Sequence, residues 1–310
     1  MKSNLISIVV PVYNEEENIP ELLRRVDAVV VPLGVTCEIL FVDDASIDRT
    51  PHMLHEMAVA DQRIKVLRFS RNFGHQSAVT AGIDYAQGDA VVLLDGDLQD
   101  PPELITAFVQ KWREGYDVIY GIRKKRKEWW GKRLAYYLFY RLLRASAEGV
   151  EMPVDAGDFS LISRRALDVV KSLPERNRFV RGLRTWVGFR QVGIPYERHE
   201  RYAGKPKYTF LRLLRLAYDG LFSFSSVPLH LITLLGVIVS AASFFAILVV
   251  LYFRLFTNLS IPGFASLATI TLFLGGIQLL SLGVIGEYIG RIYEETKHRP
   301  DYVIEEKIGI

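Results

Sequence analysis

A single cysteine, Cys37, excludes any disulfide within the chain. It lies in the apolar run Cys-Glu-Ile-Leu-Phe-Val, where a buried structural thiol is the favoured reading, and the chain fits a reducing compartment. An excess of one charge is also missing. The 38 Lys and Arg against 35 Asp and Glu leave a formal net charge of +3, too mild to imply nucleic acid as a partner. No Gly-x-Gly-x-x-Gly follows the first apolar run, which disfavours a dinucleotide oxidoreductase. The start lacks the pattern of a signal peptide: one Lys precedes the apolar stretch, no small-residue cleavage site follows, and Glu15, Glu16 and Glu17 come next. Met1 to Val12 is therefore read as a first strand. No internal repeat, low-complexity tract or long linker interrupts the chain. The most informative absence is local, because Leu231 to Phe253 and Ile261 to Gly286 contain no charged residue at all.

Each of those two runs is long enough to span a bilayer, which takes roughly 20 apolar residues as helix. A soluble domain followed by a two-helix transmembrane hairpin is the expectation. The loop between the runs carries no charge beyond Arg254 at its edge, whereas Arg291, Lys297 and Arg299 follow the second run and many basic residues precede the first. The bias of Lys and Arg toward the cytoplasm then puts both termini on the cytoplasmic side. The spans hold no internal charge, which argues against a pump. Gly275, Gly276, Gln278 and Ser281 fit helix packing and permit a homo-oligomer.

Ahead of the runs, short β-branched stretches alternate with segments of helical spacing. Leu5 to Val12, Thr36 to Val42, Ile64 to Phe69, Ala90 to Leu94 and Asp117 to Tyr120 predict strands, and Ile19 to Val30 and His75 to Ala86 predict helices. The alternation predicts an α/β domain with a mostly parallel, doubly wound, Rossmann-like sheet, in which ligands bind beyond the carboxyl ends of the strands. Polar residues sit at those ends: Pro11-Val-Tyr13-Asn-Glu15, Asp43-Asp44-Ala-Ser, Ser70-Arg-Asn and Asp95-Gly96-Asp97-Leu-Gln99-Asp100. Asp48 before Thr50-Pro51, and Asp100 before Pro101-Pro102, are read as helix caps.

Asp95 and Asp97 flank Gly96 at the end of a strand apolar enough to be buried. Carboxylates so close repel unless a cation lies between them or one stays protonated. Mg2+ or Mn2+ answers that need, since both take oxygen ligands and combine one or two carboxylates with phosphate oxygens. Gln99 adds a carbonyl oxygen nearby, and Gly96 lets the backbone approach a ligand. Farther on, Arg123-Lys-Lys-Arg-Lys127 reads either as solvated surface or as a contact for anionic headgroups or a lipid phosphate. Trp129 to Ala147 predicts an amphipathic helix, and Tyr208 to Phe224 predicts a second one lying in the membrane interface. Asp158 reads as a turn or capping acid, or as a functional carboxylate that orients a ligand or takes a proton.

Taken in order, Val10-Pro-Val-Tyr-Asn-Glu15, Val42-Asp-Asp-Ala-Ser46, Arg71-Asn-Phe-Gly74 and Asp95-Gly-Asp-Leu-Gln-Asp-Pro-Pro-Glu103 resemble the family 2 inverting glycosyltransferases of the polyprenyl-phosphate type. That group includes bactoprenol glucosyltransferases, dolichol-phosphate mannose synthases and the aminoarabinose transferases. The resemblance implies a GT-A fold, a nucleotide-sugar donor, a polyprenyl phosphate acceptor and Mg2+ or Mn2+. On matching positions it implies that Pro11, Tyr13, Glu15 and Asp44 contact the nucleoside, with Asp43 in support. Asp95, Asp97 and Gln99 would handle the metal, and Arg123 would lie near the acceptor phosphate. Arg201 and Lys207, in Arg-Tyr-Ala-Gly-Lys-Pro-Lys, match a basic segment that approaches the diphosphate, although Pro206 replaces the usual serine.

Asp97, Asp158 and Arg201 are thus the candidate catalytic residues. The implied acceptor, a phosphate monoester with a second pKa of about 6, is already largely dianionic near neutrality, so no strong general base is required. The expected reaction is inverting transfer of a hexose, glucose from UDP-glucose being favoured over GDP-mannose or UDP-aminoarabinose, to undecaprenyl phosphate at the inner face of the cell membrane. A processive polysaccharide synthase is disfavoured because Arg184-Thr-Trp186 lacks the Gln-x-x-Arg-Trp segment of those relatives. A non-catalytic lipid-binding or flipping module is the reading from another class. The expected divisions are a catalytic domain at 1–207, an interface helix at 208–226, two spans within 227–290 and a cytoplasmic tail at 291–310.

Overall fold

The structure, a computed structural model, describes residues 5–123, 156–173, 175, 178, 180–198, 227–256 and 263–310. Among them, eight strands form one sheet: β1 (Leu5–Val12), β2 (Thr36–Asp43), β3 (Ile64–Phe69), β4 (Ala90–Leu93), β5 (Val118–Arg123), β6 (Ala156–Ser163), β7 (Gln191–Tyr196) and β8 (Ile304–Ile308). Their order is β7-β5-β6-β4-β1-β2-β3-β8. Strands β4, β1, β2 and β3 run parallel, β5 and β7 pair in parallel, and β6 is antiparallel to both β4 and β5. The result is the mostly parallel, GT-A-like α/β sheet that the resemblance implies.

The central strands are apolar without alternation because both of their faces are covered. On one face Ile8, Val10, Ile39 and Phe41 pack with Leu22 and Val26 of α1 (Ile19–Leu33), Leu54 of α2 (Thr50–Ala60) and Phe108 of α4 (Leu104–Arg113). On the other, Val9, Leu40 and Phe69 meet Val79 and Ile83 of α3 (His75–Tyr85) and Leu167 of α5 (Arg164–Ser172). Helix α1 stops where Gly34 turns left-handed at φ 60° and returns its N–H to the Val31 carbonyl. A short α6 (Val180–Trp186) precedes β7.

The five expected strands lie where the alternation places them, with β2 continuing to Asp43 and β5 to Arg123. Three further strands escaped that pattern. The last of them lies within the stretch read as a tail: Ile304–Ile308 pairs antiparallel with β3, and 299–310 belongs to the α/β unit.

A second unit contains the helices α7 (Val227–Phe256) and α8 (Phe264–Thr296). In α8 the stretch Phe273–Thr296 is long and apolar enough to cross a membrane; in α7 the corresponding apolar stretch is the shorter Ile232–Phe245. Among the described residues one helix, not the expected pair, meets that measure. The expected helices over Trp129 to Ala147 and Tyr208 to Phe224, the basic run beyond Arg123, and both Arg201 and Lys207 lie outside the described residues.

Candidate active site

The loops after β1 and β2 are laced together. Asn14 adopts φ 53°, its N–H donates to Ser46 Oγ at 2.9 Å, and its Oδ1 accepts from the Ile47 N–H at 2.9 Å. The Glu15 N–H donates to Thr50 Oγ1 at 3.0 Å. Asp43 takes the Ser46 N–H at 2.9 Å and so closes the turn that presents Asp44. Asp44 in turn accepts from the backbone N–H groups of Phe73 at 2.7 Å and Gly74 at 2.9 Å. Burial pushes both carboxyls up, and these hydrogen bonds oppose it. Pro11, Tyr13, Glu15, Asp43 and Asp44 therefore gather around adjoining strand ends. Asp48 is not the helix cap expected of it: it takes the Thr50 N–H at 3.0 Å as a local turn, while the cap position of α2 falls to Arg49, which makes no side-chain cap bond.

Gly96 lies against β1. A Cβ there would stand 3.0 Å from Val12 Cγ1 and 3.3 Å from the Pro11 carbonyl, so a side chain at this position would press on the end of β1. This contact sets Asp95 and Asp97 beside the end of β1. Asp97 accepts the Gln99 N–H at 3.1 Å while Leu98 takes φ 58°, an Asx-type turn that fixes the carboxylate.

Two groups absent from the expected site complete an acidic cluster. His75, the first residue of α3, places Nε2 at 3.6 Å from Asp95 Oδ1 and 3.8 Å from Asp158 Oδ2. Arg181 of α6 reaches the same Asp158 with its Nη2 at 3.3 Å from Oδ2. Burial disfavours a charged imidazole, but Asp158 and Asp95 outweigh it and raise His75 to about 9. Burial would also raise Asp158; the His75 and Arg181 charges reverse that and hold it below the usual carboxylate range. For Asp95 burial prevails, pushing the carboxyl up to about 6, with Asp100, Asp158 and Asp97 adding to the shift and His75 opposing it. Arg184, fully buried beneath, donates to the Gly157 carbonyl at 2.9 Å and the Asp158 carbonyl at 3.3 Å, fixing the backbone that carries Asp158. Sequence spacing had no means of joining His75, Asp158 and Arg181, which come from α3, β6 and α6; a histidine just after the Arg-Asn-Phe-Gly strand end was the available signal.

Asp100 is not a helix cap. The two prolines that follow defer α4 to Leu104, whose preceding Glu103 makes no side-chain cap bond, and Asp100 turns fully into the interior. There it accepts from the Tyr196 hydroxyl, lies 3.6 Å from Arg123 Nη2 and 3.7 Å from Arg198 Nε. Arg123 Nε also donates to the Tyr196 oxygen at 3.2 Å, and a Cβ added to Gly157 would stand 2.9 Å from Arg123 Nη2. Arg123 is thus held over the β6 backbone beside Asp158.

The donor set fits a divalent cation. Asp95 and Asp97 offer oxygens in a cluster where burial, with the neighbouring carboxylates adding to it, already suppresses the ionisation of Asp95. Among the described residues no three His, Cys, Asp or Glu side chains form a metal cage by themselves. Remaining positions would fall to ligand oxygens, as is usual for Mg2+ sites built on one or two carboxylates.

Residues 7–170 match the model of glycosyl transferase family 2. Glycosyltransferase YkcC of Bacillus subtilis is 50% identical over 98% of this chain and 94% of its own. The chain belongs to glycosyl transferase family 2. Among other family members, a bactoprenol glucosyl transferase of Shigella phage SfV is 42% identical over 97% of this chain and 98% of its own. A mannosyltransferase from Pyrobaculum calidifontis, solved with GDP-mannose and Mn2+, superposes with a TM-score of 0.48 at 19% identity, covering 95% of this chain and 88% of that one.

Proposed function

We propose that this family 2 glycosyltransferase moves glucose from UDP-glucose to a polyprenyl phosphate such as undecaprenyl phosphate, with inversion. The observation that carries the reading is the acidic cluster Asp95, Asp97 and Asp158 with Arg123 fixed at its rim. Near-full-length relatives named for bactoprenol glucosyl transfer support the choice of sugar and acceptor.

Pro11, Tyr13, Glu15 and Asp44 would line the nucleoside side of the pocket, with Asp43 bracing the turn. Asp95 and Asp97, with Gln99, would hold Mg2+ or Mn2+. The bound cation would supply charge stabilisation for the departing diphosphate. Arg201 and Lys207 would add positive charge near the same group. Arg123 would draw the acceptor phosphate toward the cluster, where Asp158, kept ionised by His75 and Arg181, orients it. An acceptor that arrives dianionic needs no strong base, so Asp158 serves by position. The apolar stretch in α8 supports insertion in the cell membrane; the second uncharged run, Leu231 to Phe253, would make a second span, and the Lys and Arg outside the two runs would keep the catalytic unit and both termini cytoplasmic. The small residues of the spans support a homo-oligomer.

The test is incubation of the purified full chain with undecaprenyl phosphate, Mg2+ and a panel of nucleotide-sugars, followed by thin-layer separation of the lipid extract. A glucolipid from UDP-glucose is expected, and chelation of the metal should abolish it. Inactivity with every donor would sink the proposal, while a lipid product formed solely from GDP-mannose would replace the sugar.

A further inference from the structure

The segment that follows α8 contacts the donor pocket by two routes. Tyr302 stacks on Phe69, the last residue of β3, with ring centroids 5.3 Å apart and planes 10° from parallel. Phe69 meets Phe73 edge to face at 5.6 Å, and the Phe73 N–H holds Asp44 Oδ1 at 2.7 Å. The loop between these rings is tied down by the same segment, since the Ser70 N–H donates to the Val303 carbonyl at 3.0 Å. Tyr302 is itself anchored, its hydroxyl donating to Asp84 Oδ2 at 3.0 Å. The second route is electrostatic: Arg68 Nε lies 3.7 Å from Glu305 of β8 and 3.7 Å from the fully buried Asp43.

Both carboxylates at the end of β2 thus owe part of their setting to residues from the far end of the chain. Asp44 has each oxygen engaged by one backbone N–H of the 70–74 loop, leaving further lone pairs on both oxygens for a ligand. Where they point depends on that loop. We propose that residues 302–308 form a clasp that positions Asp44 for the donor nucleoside, with Tyr302 the principal positioning residue. The inference rests on the reading of Asp44 as a nucleoside contact.

Coupling of this kind is reciprocal: if the clasp favours nucleotide binding, nucleotide binding must favour the clasp. The test is amide hydrogen exchange of the wild-type full chain in detergent, with and without saturating UDP, together with UDP affinities of variants. UDP should slow exchange across 303–308 as well as 70–74. Tyr302→Ala should weaken UDP binding about fivefold, or about 1 kcal/mol, whereas Tyr302→Phe, which keeps the stacked ring, should stay within about twofold. Unchanged exchange in 303–308 while 70–74 is protected overturns the clasp, and needs no variant to fold. So does a folded Tyr302→Ala chain with wild-type affinity. Asp44→Asn separates the two claims: if it binds UDP normally, the nucleoside reading falls and the clasp with it. If it binds weakly while Tyr302→Ala binds normally, the clasp alone falls.

Discussion

Asp97 is buried at the strand end and accepts the Gln99 N–H with one oxygen, so truncating it removes at least that turn bond and a charge. Asp97→Ala should fold, by circular dichroism, and lose glucolipid formation by on the order of 100-fold or more; full activity would remove the metal assignment. His75 makes a prediction in pH. Its folded pKa of about 9 lies above the ordinary 6.5, so its contribution to stability is complete below about pH 6.5 and disappears as pH rises through 9. Thermal unfolding of the metal-free chain should show that decline, and His75→Gln should flatten it. Asp100 balances Arg123 and Arg198 from a fully buried position. Asp100→Asn should lower stability by about 1.5–3 kcal/mol, and steady-state kinetics should show KM for the lipid phosphate rising more than KM for the donor. Of these residues, Asp97 and its turn partner Gln99 could be picked out in the sequence because they stand two residues apart. His75 and Asp100 could not, because their partners arrive from other elements.

Strands β1 to β5 were legible because each is a run of β-branched and apolar residues bounded by polar turn residues, and a strand buried on both faces needs little more. Strand β8 was not, since Ile-Glu-Glu-Lys-Ile has charged residues across an exposed edge, a composition that protects an edge and hides the strand. Strand β7 carries Pro195, which argues against a strand on sequence grounds, yet it pairs along one side at the sheet margin. The packing of α3 on β1 yields its own prediction. A Cβ on Gly82 would stand 2.1 Å from Val9 Cγ1, and Val9 is fully buried, so neither element can yield locally. Gly82→Ala should therefore destabilise the α/β unit by about 1–3 kcal/mol in chemical denaturation; an unchanged midpoint would mean that α3 shifts freely on the sheet.

At the scale of the whole molecule, the chain joins an α/β transferase unit to long apolar helices, and its last strand returns to the transferase sheet. The uncharged runs alone raise the expectation of an apolar helical part after the α/β part. The return was not legible, because sheet pairing between β3 and β8, strands more than 200 residues apart, leaves no periodic trace. The central claim is that the acidic cluster serves transfer to a lipid phosphate. Its most direct test is to quantify UDP released from UDP-glucose with and without undecaprenyl phosphate, alongside mass spectrometry of the lipid. UDP release is expected only when the lipid phosphate is present, one UDP for each glucosyl lipid formed. Equal release without the lipid, or release with no glucosyl lipid, would contradict it.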